Sequence, residues 1–268
     1  MQLAKRVMGA AALLLSVLLL PGVLLAADSQ SAEPAAPDPA MEQLLRMANH
    51  LSSLKAFSVA LQTGYDVVQE SGQKIEFGEQ RNLTLVRPDR FRVDATASDG
   101  GESVTLFDGK TLTLYDKDEG VYATTERPGD IDSAIAYFVK DLQMRLPLAL
   151  LFVTDLPKQL ERRVTEAAIV ETTQIGGAPC LHIAARAESV DVQVWLPTSG
   201  DPLPRRIILT YKDDAGQPQF WADFSDWNLS PAAPDSLFTL TIAQDATRIP
   251  FLAKVHPAEP ADNQGEHQ

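Results

Sequence analysis

A single cysteine, Cys180, excludes any disulfide within the chain, because a bridge needs two thiols. The fold must be held by its core alone, and 268 residues are enough for that. Basic charge is also scarce: 23 Lys and Arg stand against 36 Asp and Glu, for a net charge of −13. Lys5 and Arg6 lie in the leader described below, so the rest of the chain is more acidic still. Such a surface repels phosphate backbones and anionic membrane surfaces, and no basic run offsets it. Nucleic acid is therefore not an expected partner. Catalytic signatures are missing too: there is no G-x-S-x-G, H-E-x-x-H, P-loop or G-x-G-x-x-G.

What remains for chemistry is thin. His50 stands alone on a helical pattern, and His256 and His267 lie near the end. Cys180 and His182 fall on one face of a strand pattern, a spacing usable by a metal or a thiol nucleophile. Neither a second cysteine nor a third ligand accompanies them, so Cys180 is expected to pack as a small apolar residue. Asp116, Asp118 and Glu119 precede Gly120, but the distal Glu of a calcium loop is missing, and a solvated hairpin tip is expected. Asp223 and Asp226 are three apart, which puts them on opposite faces of a regular strand and argues against paired acid–base work. No catalytic group, metal or cofactor is expected, and the chain is not expected to be an enzyme.

The first residues read as an export signal. Lys5 and Arg6 precede an apolar run from Val7 to Leu20, Pro21-Gly22 breaks it, and Ala26 and Ala27 offer small residues for cleavage. The run falls short of the roughly 20 residues that span a bilayer. Residues 1–27 are expected to be a signal peptide delivering the chain to the periplasm. With no cysteine near the cut, lipid attachment is not expected. Residues 28–40, rich in Ala, Pro and Ser, read as a flexible linker.

Residues 41–252 read as one domain. Met41, Leu44, Leu45, Ala48, Leu51 and Leu54 recur at helical spacing, with Asp38 as cap and Pro39 at the first helical position. The period then drops to two. Phe57, Val59, Leu61, Tyr65 and Val67 alternate with smaller or polar residues. Further short strands follow, joined by turns such as Ser71-Gly72 and Asp108-Gly109. A helical insert from Ile131 to about Arg145 carries Ile135, Phe138, Val139 and Leu142, and a short helix is expected over 155–164. Strands resume from about Ala168 to Trp227, and Phe238, Leu240 and Ile242 suggest a last one. Residues 253–268 read as a disordered tail.

Ten or eleven strands in tight succession leave no room for crossover helices, so the sheet is antiparallel. It cannot stay flat. The expected fold is mainly β (α+β): one curled antiparallel sheet forming an unclosed half barrel, with helices over the concave side. The helices either complete a dry core or leave an apolar hollow, and pattern alone does not choose between them.

Several motifs carry a resemblance. Arg87-Pro88-Asp89-Arg90-Phe91-Arg92, the hairpin Phe107-Asp108-Gly109-Lys110-Thr111-Leu112, Leu203-Pro204-Arg205-Arg206, Phe224-Ser225-Asp226-Trp227-Asn228 and Asp235-Ser236-Leu237-Phe238 resemble successive strands of the LolA and LolB lipoprotein carriers. The whole pattern is more similar still to an uncharacterised family of predicted periplasmic proteins sharing that fold. The resemblance implies a non-enzymatic periplasmic carrier for a hydrophobic ligand: a lipid, an acyl chain or a lipoprotein. The alternative is a sensor or interaction module regulating an envelope protein partner. For a cavity lining, the expected contacts are Phe138 and Leu142 on the insert, with Phe91, Phe107 and Trp221 from the sheet.

Overall fold

The computed structural model describes residues 38–142 and 146–251. The expected signal peptide, most of the linker and the expected tail lie outside the described residues. Helix α1, Pro39–Ser53, starts as its sequence dictates: the Asp38 carboxylate accepts from the Ala40 N–H at 2.8 Å, and Pro39 occupies the first turn. Its buried stripe is Ala40, Leu44, Met47, Ala48 and Leu51. Full burial of each larger side chain contributes roughly 1.5–3 kcal/mol.

Six strands follow: β1 (Ala56–Val68), β2 (Lys74–Val86), β3 (Arg90–Ala97), β4 (Glu102–Phe107), β5 (Thr111–Asp116) and β6 (Val121–Glu126). The helical insert contains α2 (Ile131–Ala136), a π turn at Tyr137–Asp141, a 3-10 turn at Ala149–Phe152 and α3 (Leu156–Arg163). Strands β7 (Glu166–Ile175), β8 (Ala178–Arg186), β9 (Val190–Pro197), β10 (Arg206–Tyr211) and β11 (Gln219–Asn228) return. A two-residue β12, Thr247–Arg248, completes the sheet. The order is β12-β6-β5-β4-β3-β2-β1-β11-β10-β9-β8-β7. The first and last strands of the meander meet at its centre, where β11 pairs with β1. The insert therefore links the two outer regions of the sheet, from β6 to β7.

The sheet is mainly antiparallel, curled and unclosed. Its inward rows share one core with the helices: Phe57, Val59, Leu83, Leu85, Phe107, Ile183, Val194, Ile207 and Phe224 pack with Leu44, Met47, Leu51, Ile131 and Phe138.

Three details depart from the expected pattern. Over its described residues the insert is not one continuous α-helix. It is six residues of α-helix followed by a π turn, in which the Leu142 N–H reaches the Tyr137 carbonyl. The wider turn lets Phe138 and Leu142 both stay buried. Strand β11 carries an irregularity opposite Ser58 and Ala60, and Asp226 has φ 53°. Alternation breaks there, so Phe224 and Trp227, three apart, stack at 5.8 Å against the same core. The rule used to separate Asp223 from Asp226 assumes a regular strand and does not hold through this bulge.

Phe238, Leu240 and Ile242 do not form a strand. Asp235–Phe238 is a 3-10 turn within an irregular strap. The strap answers a need of the outer face, where Val104, Leu106 and Tyr115 are buried outside the main core. The Arg90 guanidinium bonds Asp235 at 2.7 Å and sits 4.8 Å from the Phe238 ring centre. Arg92 donates to the Leu237 carbonyl, and the Ala243 N–H donates to the Tyr115 hydroxyl. The strap then pairs with β6 through β12, in parallel.

Candidate functional site

Cross-strand register builds the site row by row, since directly opposite residues share a face. Leu85, Phe91, Phe107 and Leu112 form the deepest row across β2 to β5. Leu83, Val93, Thr105 and Leu114 form the next. Arg81, Ala95 and Ser103 form the third, with Glu79 beyond Arg81. Over these rows lie Ile131 and Ile135 of α2, Phe138 of the π turn, and Leu146, Pro147, Ala149 and Phe152. Between floor and roof is a cavity of about 230 Å³, apolar toward the helices and polar at Glu79, Arg81, Ser103 and Thr105. The Arg81 Nε–H donates to Glu79 Oε1 at 2.6 Å, and Nη2 shares that oxygen. The side chains are 29% and 18% exposed, so the pair is only partly wet.

The roof is held by a few polar ties. Asp130 caps α2, accepting from the Ser133 N–H at 2.8 Å and from its hydroxyl. Those bonds, the hydroxyl's first, hold the Asp130 pKa below the usual carboxylate value. Asp132 accepts from the Thr154 N–H at 3.0 Å, joining α2 to the segment after the 3-10 turn. Arg87 is the central tie. Its Nε–H donates to the Leu54 carbonyl at 3.1 Å and its Nη1–H to the Phe152 carbonyl at 2.8 Å. It thereby fastens the end of α1 and the roof to the β2–β3 turn. Burial pushes the Arg87 pKa down, and Asp132 opposes that shift. Leu148, beside Pro147, sits at φ 69°, a conformation that costs a non-glycine residue about 1–3 kcal/mol. At the end of the strap, Phe251 meets the Phe138 ring edge-on at 6.3 Å.

Of the five expected contacts, Phe91 and Phe138 lie in the cavity wall. Phe107 and Leu142 are buried in the adjoining core, with Phe107 5.8 Å from Phe91, but neither forms the wall. Trp221 is misplaced by that expectation. Its neighbours Phe220 and Ala222 face the core, which turns Trp221 to the outer face. There it covers Gly64 and donates from Nε1 to Glu76 at 2.9 Å. The expectation counted an aromatic without assigning its phase on the strand.

Glu79 and Arg81 are not singled out by the sequence, and Arg87 enters there only as the first residue of a strand-entry motif. The signal available for the first two was their phase: they continue the Leu83–Leu85 face of β2. Charges on an apolar face mark a place where a core opens. For Arg87 no such local signal exists, because its acceptors are 33 and 65 residues away.

The other candidates are absorbed by structure. His182 lies flat on Trp195 with ring centres 4.1 Å apart, and its Nε2 pairs with Gln193 at 2.9 Å. Cys180 is buried, and burial pushes its thiol pKa up. Asp116 accepts from the N–H groups of Asp118 and Glu119, and Asp118 from that of Glu102. These are turn-forming bonds. Among the described residues no group of His, Cys, Asp or Glu is arranged to hold a metal ion.

A family model described as "Predicted periplasmic protein (DUF2092)" matches residues 40–252. The chain belongs to this family. DUF2092 membership places the protein in the periplasm. No curated protein matches the chain. Solved structures do resemble this DUF2092 protein. The Mycobacterium tuberculosis lipoprotein LppX is 15% identical, with 72% of this chain and 97% of that chain covered, at a TM-score of 0.44. A LolA superfamily protein from Nitrosomonas europaea is 11% identical, with coverage of 75% and 97%, at 0.36. The Pseudomonas aeruginosa MucA/MucB complex contains a chain 16% identical, with coverage of 74% and 60%, at 0.40.

Proposed function

We propose that this DUF2092 protein is a non-enzymatic periplasmic carrier that sequesters a hydrophobic ligand: a lipid, an acyl chain or the acylated end of a lipoprotein. The observation that carries the reading is the apolar hollow beneath the roof. A chain entering it leaves water, gaining about 25 cal/mol per Å² of apolar surface buried. The roof is a poor permanent closure. It is assembled from one six-residue helix, a π turn and a 3-10 turn, and Val139 and Leu150 on it are exposed. The cavity of about 230 Å³ is smaller than the roughly 300–1,000 Å³ of typical ligand pockets. Cargo larger than a short chain therefore needs the roof to lift. Native mass spectrometry of protein purified without harsh detergent, with titration of a fluorescent fatty acid, tests this. Co-purifying lipid and saturable probe binding are expected. Absence of both would remove the proposal.

A second reading has its own support. Strand β7 ends the sheet and exposes Ile169 and Val170, at 42% and 54%. A periplasmic segment of an envelope protein could add as a strand there, making the protein a sensor or interaction module. Affinity capture from envelope extracts decides: one stoichiometric protein partner, lost on Val170→Pro, with an empty cavity would favour this reading.

A further inference from the structure

We propose that the cavity selects an uncharged acyl ester, with its chain under Phe138 and its ester and hydroxyl oxygens at Arg81, Ser103 and Thr105. This rests on the carrier reading above and specifies its ligand. The argument begins with the gradient along the strands. Moving from Leu85 to Leu83 to Arg81 along β2, and from Phe107 to Thr105 to Ser103 along β4, the floor passes from apolar to polar in step. A ligand lying along the strands must therefore be greasy at one end and polar at the other.

The nature of the polar end follows from the ion pair. Arg81 is the wall's only cation among the described residues, and Glu79 its only anion. Two guanidinium nitrogens already donate to one Glu79 oxygen. The pair is neutral as a unit and largely shielded from water. A carboxylate headgroup would bring a second anion to one cation, and an ammonium headgroup a second cation to one carboxylate. Either leaves a partly buried charge without a counterion, which is costly. An ester or hydroxyl adds no charge. It can take a hydrogen bond from the guanidinium or from the Ser103 and Thr105 hydroxyls, each of which both donates and accepts. Ala95, between Arg81 and Ser103 in the register, leaves space where a larger side chain would fill it.

The experiment compares three probes of one chain length, octanoate, octylamine and mono-octanoylglycerol, against the full chain by calorimetry at neutral pH. The monoglyceride is expected to bind at least roughly tenfold tighter than either ion, the scale of one uncompensated partly buried charge. Breaking the pair reverses the ranking in a directed way. Glu79→Gln frees the cation, so octanoate should become the best ligand. Arg81→Met frees the carboxylate, so octylamine should. Arg81→Lys keeps the charge and should keep the native ranking, which guards against misfolding as the cause. Octanoate binding best to the native protein, or a ranking unmoved by Glu79→Gln and Arg81→Met in folded variants, would overturn the proposal. Equal binding of all three would also overturn it while leaving the carrier reading intact. Failure of all three to bind would remove both.

Discussion

Replacing Arg87 by alanine tests whether the roof is latched rather than merely resting on the sheet. The side chain makes two charge-assisted hydrogen bonds, to the Leu54 and Phe152 carbonyls. Bonds to a charged group contribute roughly 1.5–3 kcal/mol each, so the gross loss is about 3–6 kcal/mol. Part is offset. Arg87 Nη2 is buried with no partner among the described residues, and removing it recovers a desolvation cost of about 1–3 kcal/mol. The net expected destabilisation is about 2–3 kcal/mol, concentrated at the roof, since both carbonyls can meet water once the roof lifts. Urea unfolding gives the global value, and amide hydrogen exchange locates it. Amides of Ala149 and Leu151, bonded to Leu146 and Leu148, should exchange faster, while those of β1 and β2 keep most of their protection. Arg87→Lys should be intermediate, since an ammonium cannot span both acceptors in the fork geometry of a guanidinium. Because arginine stays charged throughout the accessible pH range, the effect should not vary with pH. A loss below about 0.5 kcal/mol, the scale of an ordinary surface change, with unchanged exchange at the roof would refute the latch.

Phe138→Ala removes a ring that is 1% exposed and should cost about 3–5 kcal/mol in thermal or urea unfolding, with the enlarged hollow admitting bulkier probes. Gly64→Ala places a Cβ 2.5 Å from Trp221 Nε1; it should destabilise the protein, and much less so in a Trp221→Ala background, which a double-mutant cycle reads directly. Trp221→Ala alone should leave probe binding unchanged, as its ring covers the outer face. Asp130→Ala should cost about 1 kcal/mol, the usual value of a helix cap. Because the folded-state pKa of Asp130 is depressed, its contribution is full above the unfolded value of about 3.9 and is lost as pH falls through the lower folded value. Acid titration of wild type against this variant should converge there, and a constant difference down to the lowest pH would contradict the capping account.

Local chemistry made much of the fold legible. Asp38-Pro39 is a helix start because the carboxylate and the missing proline N–H both suit an unsatisfied first turn. Asp108-Gly109 is a hairpin because glycine takes the positive φ that the turn demands, 87° here. Alternation in β1 and β2 is period two because one face meets the core. The misses share another cause. The bulge at Asp226 shifts phase without an obvious sequence mark. The strap around Phe238 looks like a strand because it too buries apolar residues, but it covers a face instead of extending an edge. Trp221 was read as a lining residue because aromatic content says nothing about which way a strand faces.

The sequence by itself determined the succession of hairpins and the amphipathic helices, because turns, caps and periodicity act within a few residues of one another. Tertiary structure alone decided that Arg87 ties three distant segments, that Glu79 and Arg81 stand at the end of an apolar hollow, and that Trp221 looks outward. Those facts depend on which strand lies beside which and on how the helical insert crosses between the outer strands. That placement comes from burial summed over the whole chain, and no short stretch of residues encodes it.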